Sequence, residues 1–523
     1  MKGCRSMREC IFIKSGISRV FLFVVIFAAV LFLQNTLVNA EEVAFDIGIK
    51  SVECKDSFKV YDIYGSTKKN HIKINGGTAQ MPIIVNLRDG LNIDLKNTNA
   101  APIEVAKGSY VKIYIGKGDS NAKINLYGGH KSGIGKNWGY AGINCHEKSY
   151  VLITGEGALN VHGGGEKYGG AGIGGNYNDN VGNLVIDGNM SINATGACSA
   201  PGIGSGRDGI LYDLTINKGN IIARGGEDAP GIGAGESIAS GSGGDLHNLT
   251  INDGNIRAYG GKDAAGIGCS DGGALKGTIA INGGNIEAKG GKYGAGIGGG
   301  NGGDIIKKGK INIQCKQDKP MKIVARGGIN GAGIGGGKEQ ESCEIEIKGH
   351  PRKRELLNIR AFASSAGNKI NSAAAIGSGQ DTAGNITIKD ATVYADAPYA
   401  GADIGSGSMK GKPGKIYSII VDNSTIVARG VNKIAAGIGA GHGGSIDRIK
   451  ISNSIYRGNS IGTSIYASPA FNIFHQLNDM KEITIENSKI ECDHNMMSTN
   501  DRDSITSGVA GIGRGPLDRK AHV

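Results

Sequence analysis

A short phrase, Gly-Ile-Gly, recurs along most of this chain and limits what the chain can fold into. Its copies are centred on Ile134, Ile173, Ile203, Ile232, Ile267, Ile297, Ile334 and Ile438, with variants at Ile376 and Ile404 and a last copy at Ile512. Neighbouring copies lie 28 to 42 residues apart, except for a final gap of 74 residues. That gap is about two periods, so we expect a worn copy near Ala467 to Phe471. A period of this length is typical of a repeat architecture.

Each repeat also holds two segments that alternate apolar and polar residues. Leu214-Thr215-Ile216 exemplifies the first segment and Ile256-Arg257-Ala258 the second, while Gly-Ile-Gly is the third. Alternation with period two indicates strands with one buried face. Such short strands bury apolar surface only by stacking coil upon coil. The sequence therefore predicts an all-β fold, a right-handed parallel β-helix of roughly 30-residue coils with three short strands per coil.

Composition supports this fold class. The chain has 91 Gly and only 10 Pro without a Gly-X-Y period, which excludes collagen. The glycine density and the lack of apolar residues at i, i+3 and i+4 exclude long helices. Asn217, Asn252 and Asn282 recur just after the first strand, where we expect turn residues that stack as an amide ladder.

The chain divides into three segments by pattern. Residues 1–40 predict a signal peptide, because basic residues precede an apolar run from Val20 to Leu33 that is shorter than a membrane span. We expect cleavage after Ala40, secretion or cell-surface location, and no membrane span in the mature chain; a retained signal anchor is the alternative. Residues 41–130 are expected to form an N-terminal cap and first coils, and residues 131–523 the glycine-rich repeats.

Charge limits the partners. Removing residues 1–40, which hold five basic residues and one acidic residue, lowers the net charge from +11 to +7. A mildly basic surface permits attraction to acidic polysaccharide, phosphate-rich cell wall or nucleic acid. We expect a carbohydrate or cell-wall polymer as the partner and no nucleic acid.

Few residues suggest catalysis or metal binding. The seven cysteines after residue 40 lack C-x-x-C spacing, which argues against a disulfide framework and a zinc site, and the histidines fall at different repeat positions. Asp208, Asp245, Asp271 and Asp304 each follow a Gly-Ile-Gly copy. Such carboxylates could serve glycoside hydrolysis or bind Ca²⁺, or they could simply stabilise glycine turns. No catalytic residue and no other cofactor is predicted.

A candidate binding site lies on the second strand. If Ile and Ala of Ile-x-Ala point inward, the residues before and after the Ala point outward. Stacking would place cations and rings in one stripe on this face: Arg224, Arg257, Tyr259, Lys289, Arg326, Arg360, Phe362 and Arg429. Asp396, Tyr394, Tyr466 and Ser468 occupy equivalent positions in their repeats. We expect this stripe to bind an acidic polymer. A charged face that only prevents aggregation is the alternative.

The phrase GAGIGGG followed by the two alternating segments resembles the repeats of secreted Gram-positive surface proteins of the β-helix type, described as carbohydrate-binding-domain or adhesin-like. The resemblance covers roughly residues 130 to 515. It implies an extracellular or cell-surface location and glycan binding.

Two functions remain open. The first is a non-enzymatic extracellular binding or adhesive protein that recognises carbohydrate along an exposed face. The alternative is a polysaccharide lyase or glycoside hydrolase, which should bring two acids, or an acid and a base, together beside a long loop. We expect the longest insertions at Gln314 to Lys322, Gly349 to Glu355 and Ile455 to Ser464. The regular, loop-poor repeats favour the binding protein.

Overall fold

The computed structural model describes residues 40–131, 138–237, 244–302, 309–365, 372–380, 382–409, 412–430, 435–463, 465–466, 480–492, 507–508 and 512–513. These residues form a right-handed parallel β-helix with three strands per coil, as predicted. Its two long parallel sheets contain 27 and 15 strands. Within these ranges the helical structure is one 3₁₀ turn, Arg354–Leu356, and no helix could cross a membrane. Residues 1–39 of the predicted signal peptide lie outside the described part.

The first and second strands of the coils belong to the larger sheet. The first strands are Glu41–Asp46, Lys59–Tyr64, Ile83–Leu87, Tyr110–Ile115, Tyr150–Gly155, Leu246–Ile251, Leu275–Ile281, Lys310–Gln314, Glu344–Lys348, Ile386–Lys389, Lys415–Asp422, Ser445–Ser452 and Met480–Glu486. The second strands are Ser66–Thr67, Asn92–Asp94, Lys123–Tyr127, Ala158–His162, Asn255–Tyr259, Asn285–Lys289, Met321–Ile329, Leu357–Ser364, Thr392–Asp396, Thr425–Ala428, Ile455–Gly458 and Lys489–Cys492. Two long strands, Val181–Thr195 and Leu211–Arg224, supply both positions in their coils.

The third strands form the smaller sheet. They are Val52–Cys54, Ile72–Ile74, Ile103–Val105, Ile143–Cys145, Ile173–Gly174, Ile203–Gly204, Ile232–Gly233, Ile267–Gly268, Ile297–Gly298, Ile334–Gly335, Ile376–Gly377, Ile404–Gly405, Ile438–Gly439, Ile461–Gly462 and Ile512–Gly513. Three short antiparallel pairs lie outside both sheets. They join His130–Lys131 with Trp138–Gly139, Ser408–Met409 with Lys412–Pro413, and Ile465–Tyr466 with Ser507–Gly508.

The core is a continuous stack of inward side chains from all three strand series. Ile267 and Ile297 of the third strands and Ala258 and Ala288 of the second strands are completely buried. Each pairs in register with its equivalent on the next coil. The predicted inward orientation of Ile and Ala is therefore confirmed. Coil-on-coil burial of apolar surface is the main stabilising term for such a solenoid.

Glycine follows the isoleucine of the third strand because two coils approach too closely there for a side chain. Gly268 has φ of +138°, and a Cβ built on it would lie 2.0 Å from the carbonyl oxygen of Gly298. The equivalent contact at Gly233 is 1.8 Å from the oxygen of Gly268. The prediction that these glycines permit positive φ and close stacking is confirmed.

The predicted amide ladder is also present. Asn252 donates from Nδ2 to Oδ1 of Asn217 over 2.8 Å, and Asn282 donates in the same way to Asn252 over 2.8 Å. The ladder lies just after the first strand, where the chain bends toward the second strand. It satisfies side-chain polar groups at a partly buried corner.

Two repeat assignments were wrong. Ile143, not Ile134, occupies the third-strand position between Ile103 and Ile173. Ile134 lies outside the described residues. The coil at Ile143 retains a three-residue third strand, Ile143–Cys145, as the earlier coils do, whereas Gly-Ile-Gly serves as the third strand only from Ile173 onward.

The worn copy near the C-terminal end was misplaced as well. Ile461 pairs with Ile438 on one side and with Ile512 on the other, so Ile461–Gly462 is the missing third strand. The expected position, Ala467 to Phe471, lies outside the described residues. Ile455–Gly458 is the second strand of this coil, so the stretch Ile455 to Ser464 is not an insertion.

Candidate ligand-binding face

The outward side of the second strands, here called the strand-two face, carries three parallel columns of side chains. In the strand Asn255–Tyr259, Ile256 and Ala258 are buried, while Asn255, Arg257 and Tyr259 point outward. We call their columns the asparagine column, the middle column and the outer column. Parallel pairing in register carries each column from coil to coil.

The outer column contains five of the predicted site residues on consecutive coils. Arg224 pairs with Tyr259, Tyr259 with Lys289, Lys289 with Arg326, and Arg326 with Phe362. Tyr127, His162 and Thr195 precede them in the same column, and Asp396 follows. Five of the residues that the sequence placed on one stripe therefore align along one column.

Two of the three remaining predicted residues do not share that line. Arg257 and Arg360 belong to the middle column, where Arg257 pairs with Glu287 and Arg360 with Val324 and Tyr394. The single stripe is thus two columns, separated by two residues of extended chain or roughly 7 Å. Arg429 follows Ala428, which pairs with Ala395, so Arg429 lies one coil beyond Asp396.

Tyr466 and Ser468 were assigned wrongly to the same strand position. The backbone of Tyr466 pairs antiparallel with Ser507, outside the second-strand series. Ser468 lies outside the described residues. The second strand of that coil is Ile455–Gly458, with Arg457 in the middle column beside Glu491 of the next coil.

Rings and guanidinium groups contact each other along the outer column. The guanidinium carbon of Arg224 lies 5.5 Å from the centre of the Tyr259 ring, and its Nη1 donates to Oδ1 of Asn193 over 2.9 Å. The Phe362 ring centre lies 5.8 Å from that of Tyr394 in the middle column. These contacts reduce the side-chain freedom of the cations, so less entropy is lost when a ligand binds.

Part of the positive charge is balanced on the face itself. Nε of Arg257 lies 3.6 Å from a carboxylate oxygen of Glu287 on the next coil. Both side chains are about half exposed, so the pair contributes little to stability. The middle column is therefore close to neutral here, whereas Arg224, Lys289 and Arg326 keep the outer column basic.

A shallow groove of about 680 Å³ runs along the strand-two face beside the outer column. Its lining spans six successive coils, from Ala158 to Val324. Asparagines contribute most of its polar groups: Asn160, Asn193, Asn220, Asn255 and Asn285. Nδ2 of Asn255 donates to Oδ1 of Asn220 over 3.0 Å, and Asn160 donates similarly to Asn125 over 3.0 Å. The first pair is exposed and lies in the asparagine column, whereas the second is part-buried and lies in the middle column.

Sequence reasoning missed these groove asparagines, although a signal was present. Asn220, Asn255 and Asn285 each stand after glycine and directly before the isoleucine of the second strand. That position places them two residues before the middle column and therefore on the outward side. Their repetition was visible, but only the neighbouring ladder at Asn217 was recognised.

Two of the three expected insertions are present and contact each other. The loop 315–320 joins the strands Lys310–Gln314 and Met321–Ile329, and the loop 349–356 occupies the same place on the next coil. Nζ of Lys353 lies 2.8 Å from an oxygen of Asp318, and Lys319 lies 3.8 Å from Asp253 two coils back. The groove lining ends at Lys322 and Val324, on the coil that carries the first insertion. These loops therefore mark one end of the groove, and Lys353 is paired with Asp318.

The aspartates after the third strands lie in different environments. Asp245 lies 3.6 Å from Lys276, and Asp304 is outside the described residues. Burial raises the pKa of Asp271, and Asp263 and Glu236 raise it further. Burial likewise raises the pKa of Asp228 to about 6, with Glu236 and Asp263 adding to the effect. In the described part of the chain, no three His, Cys, Asp or Glu side chains are arranged to hold a metal ion.

The cysteines behave as buried apolar groups rather than as reactive thiols. None of the seven that the structure describes forms a disulfide, and Cys54, Cys145, Cys269, Cys315 and Cys343 are buried. Burial raises the pKa of the Cys145 and Cys343 thiols to about 12. A thiol with so high a pKa is a poor nucleophile and a poor metal ligand.

Three segments match the family model of the beta helix repeat: residues 214–236, 249–271 and 279–301. Each segment begins in a first strand and extends just past the third strand of the same coil, so the match agrees with the coil boundaries. No curated protein and no solved structure matches the chain.

Proposed function

We propose that this β-helix repeat protein is a non-enzymatic extracellular binding protein that holds an acidic polysaccharide along the strand-two face. The observation that carries the proposal is the groove across six coils, with asparagine amides lining it and a basic, ring-containing column beside it. An elongated, repetitive groove suits an elongated, repetitive ligand. Several coils contribute contacts to one polymer, so affinity accumulates along its length.

The groove chemistry supports a carbohydrate ligand. An asparagine amide is both a donor and an acceptor, and a sugar hydroxyl is as well, so the two groups can exchange hydrogen bonds in either direction. Asn220 and Asn255 are exposed, so their remaining donors and acceptors face the groove. Tyr259 and Phe362 add ring faces that can pack against the apolar C–H surface of a sugar.

The outer column supports an acidic rather than a neutral polymer. Arg224, Lys289 and Arg326 stand on three of four consecutive coils, with Tyr259 between the first two. Guanidinium groups form paired hydrogen bonds with carboxylate or sulfate groups. Secretion after cleavage near Ala40 belongs to the same proposal, because cell-wall polymers and extracellular polysaccharides are found outside the cell.

Binding of the full chain to immobilised polygalacturonate and to neutral dextran, at about 0.05 M and 0.5 M NaCl, tests the proposal. We expect preference for the acidic polymer, weakening at high salt. Replacing Arg224, Lys289 and Arg326 together with serine should weaken binding about tenfold to a hundredfold. Replacing the exposed Lys50, Lys68 and Lys69 with serine removes the same charge elsewhere and should change binding little.

Equal binding by the two triple variants would contradict a role for the strand-two face. Release of reducing or unsaturated sugar ends from the polymer would instead indicate the hydrolase or lyase alternative. Both measurements use the same protein and the same polymers.

A further inference from the structure

Three aromatic rings cluster on the loops that flank the third strands of two neighbouring coils. The ring centres of Trp138 and Tyr177 are 6.0 Å apart, and those of Tyr168 and Tyr177 are 4.8 Å apart. Trp138 is the single tryptophan of the chain and is 40% exposed. An exposed tryptophan whose ring contacts Tyr177 forgoes much of the free energy that its burial would supply.

Backbone pairing fixes the three rings relative to one another. Trp138 forms a parallel bridge with Tyr168, and the backbone amide of Tyr177 donates to the carbonyl of Gly139 over 3.1 Å. The backbone around the rings is packed as closely as at the third strands. A Cβ on Gly139 would lie 1.8 Å from the carbonyl oxygen of Gly164. The close backbone packing of Gly139 against Gly164 therefore holds the rings in position.

A largely buried arginine supports the cluster. The guanidinium carbon of Arg207 lies 5.1 Å from the centre of the Tyr168 ring. Its Nη1 donates to the carbonyl of Lys167 over 2.6 Å, and Nη2 lies 3.0 Å from a carboxylate oxygen of Glu236. With its side chain only 11% exposed, Arg207 acts as a positioning residue that fixes Tyr168.

Polar side chains stand two residues after two of the rings in the chain, Tyr140 after Trp138 and Asp179 after Tyr177. The carboxylates of Glu104 and Asp179 are close enough to Tyr140, two residues after Trp138, to raise the pKa of its hydroxyl in addition to the effect of burial. Nδ1 of His146 lies 3.4 Å from Oδ2 of Asp179. Tyr140, His146 and Asp179 therefore form a group of hydrogen-bond donors and acceptors in the part of the fold that also carries the rings.

We propose that Trp138, Tyr168 and Tyr177 form a second carbohydrate site, a platform on which the C–H face of a sugar ring stacks. Tyr140, His146 and Asp179 supply the neighbouring hydrogen-bonding groups. None of these residues lines the groove of the strand-two face, so this site does not depend on the function proposed for that face.

The extent of the cluster favours a sugar over a protein partner. A stable protein interface covers about 800 Å² on each partner and is built around a larger apolar centre. Trp138 is the one large, exposed hydrophobic side chain of the cluster, while Tyr168 and Tyr177 are only partly exposed. The tilts between neighbouring rings, 38° and 40°, leave an uneven surface of small extent. One or two sugar units match that extent.

Fluorescence of Trp138 tests the site directly, because no other tryptophan contributes to the emission. Titration of the full chain with hexasaccharides of N-acetylglucosamine, mannose and galacturonate should give a saturable shift to shorter wavelength with at least one of them. Stacking removes water from the indole, which causes the shift. No shift with any of the three sugars, or a shift only with a proline-rich peptide, would overturn the proposal.

Two pairs of variants locate the effect. Tyr177→Ala should weaken the fluorescence-detected binding about tenfold, whereas Tyr177→Phe, which keeps the ring, should retain most of it. Tyr259→Ala on the strand-two face should leave the Trp138 signal unchanged. If Tyr177→Ala does not fold, Tyr168→Ala compared with Tyr168→Phe serves the same purpose. Unaltered affinity in a folded alanine variant would end the proposal, whatever the result for the strand-two face.

Discussion

The guanidinium carbon of Arg326 lies 4.3 Å from the centre of the Phe362 ring on the next coil of the outer column. The two side chains are held in register by the pairing of Ala325 with Ala361, both of which are buried. An inward alanine pair thus determines an outward cation–ring pair. The pairing of buried residues in the core therefore sets which outward side chains are neighbours on the strand-two face.

Phe362→Ala should weaken binding of the full chain to acidic polymer while lowering the free energy of unfolding by only about 1 kcal/mol. The ring loses its contact with Arg326, and the guanidinium becomes freer to move. Phe362→Tyr keeps the ring and should preserve both properties. Polymer binding and urea unfolding, measured on the same preparations, check the prediction. A large loss of stability in the alanine variant would show that the ring is structural instead.

Gly268→Ala should destabilise the coil by about 3 kcal/mol or more, because the new methyl group meets the backbone of Gly298 and the φ of +138° disfavours it. Gly219→Ala is the matched control, with φ of +141° but its nearest neighbouring atom 3.5 Å away. It should cost only about 1–2 kcal/mol. Urea unfolding of both variants separates backbone strain from coil-on-coil contact. Equal losses of unfolding free energy in the two variants would mean that the close contact between Gly268 and Gly298 adds nothing to the cost of the substitution.

Asn252→Ala should lower the free energy of unfolding by about 1–3 kcal/mol, because Asn252 accepts from Asn282 and donates to Asn217 at a partly buried corner. Asn255→Ala, three residues further along, removes an exposed amide and should cost less than about 1 kcal/mol. Amide hydrogen exchange near residues 217–220 and 282–285 should speed up only in the first variant. A similar loss in both would contradict the structural role assigned to the buried ladder.

Asp228→Asn should stabilise the protein above about pH 6 and have little effect below about pH 4. Burial and neighbouring acids raise the pKa of Asp228 to about 6 in the folded protein. The folded state therefore holds the proton more tightly than the unfolded chain, and stability falls as the pH rises from about 4 to 6. Thermal unfolding across this range should show a shallower fall for the variant.

Asp422→Asn is the opposite case and serves as the control. A hydrogen bond from Ser452 is the main cause of the lowered pKa of Asp422. Its ionised form is therefore favoured in the folded protein, and its contribution is lost only on acidification through the lowered pKa. This variant should lose stability at neutral pH. A loss at neutral pH in Asp228→Asn as well would show that Asp228 is stabilised in its charged form.

Much of the fold could be predicted from local patterns in the sequence. Alternating residues such as Ile256 and Ala258 specify their inward direction through strand geometry alone, and their periodic return specifies stacking. The amide ladder at Asn252 followed from the same reasoning. These features depend on neighbouring residues and on the repeat, both of which can be read from the amino-acid sequence.

In two coils, local patterns did not identify the isoleucine that occupies the third-strand position. Ile134 carries the glycine phrase, yet Ile143 occupies the stack, because the phrase is a device for close coil approach and not a requirement for the third strand. Ile461 was missed because Ser460 replaces the preceding glycine and because Ile461 lies only 23 residues after Ile438, a shorter spacing than between the other copies. Pairing across coils decides which isoleucine is used, and single-sequence patterns do not contain that pairing.

The candidate sites were only partly predictable. Residues of the outer column share a repeat position, so their alignment could be found from the sequence. Trp138, Tyr168 and Tyr177 occupy non-equivalent positions on loops of unequal length. Only the fold brings them together.

From Gly174 onward, the third strands carry no side chain beyond their isoleucine, whereas the earlier coils place Glu53, Lys73, Glu104 or Asn144 at that point. Over most of the β-helix, the first flank, formed by the third strands, is thus nearly uniform main chain. The second flank, the strand-two face, carries side chains that differ from coil to coil. Changes in ligand preference can accumulate on the second flank one residue at a time. The stacking contacts that keep the molecule folded would be left undisturbed.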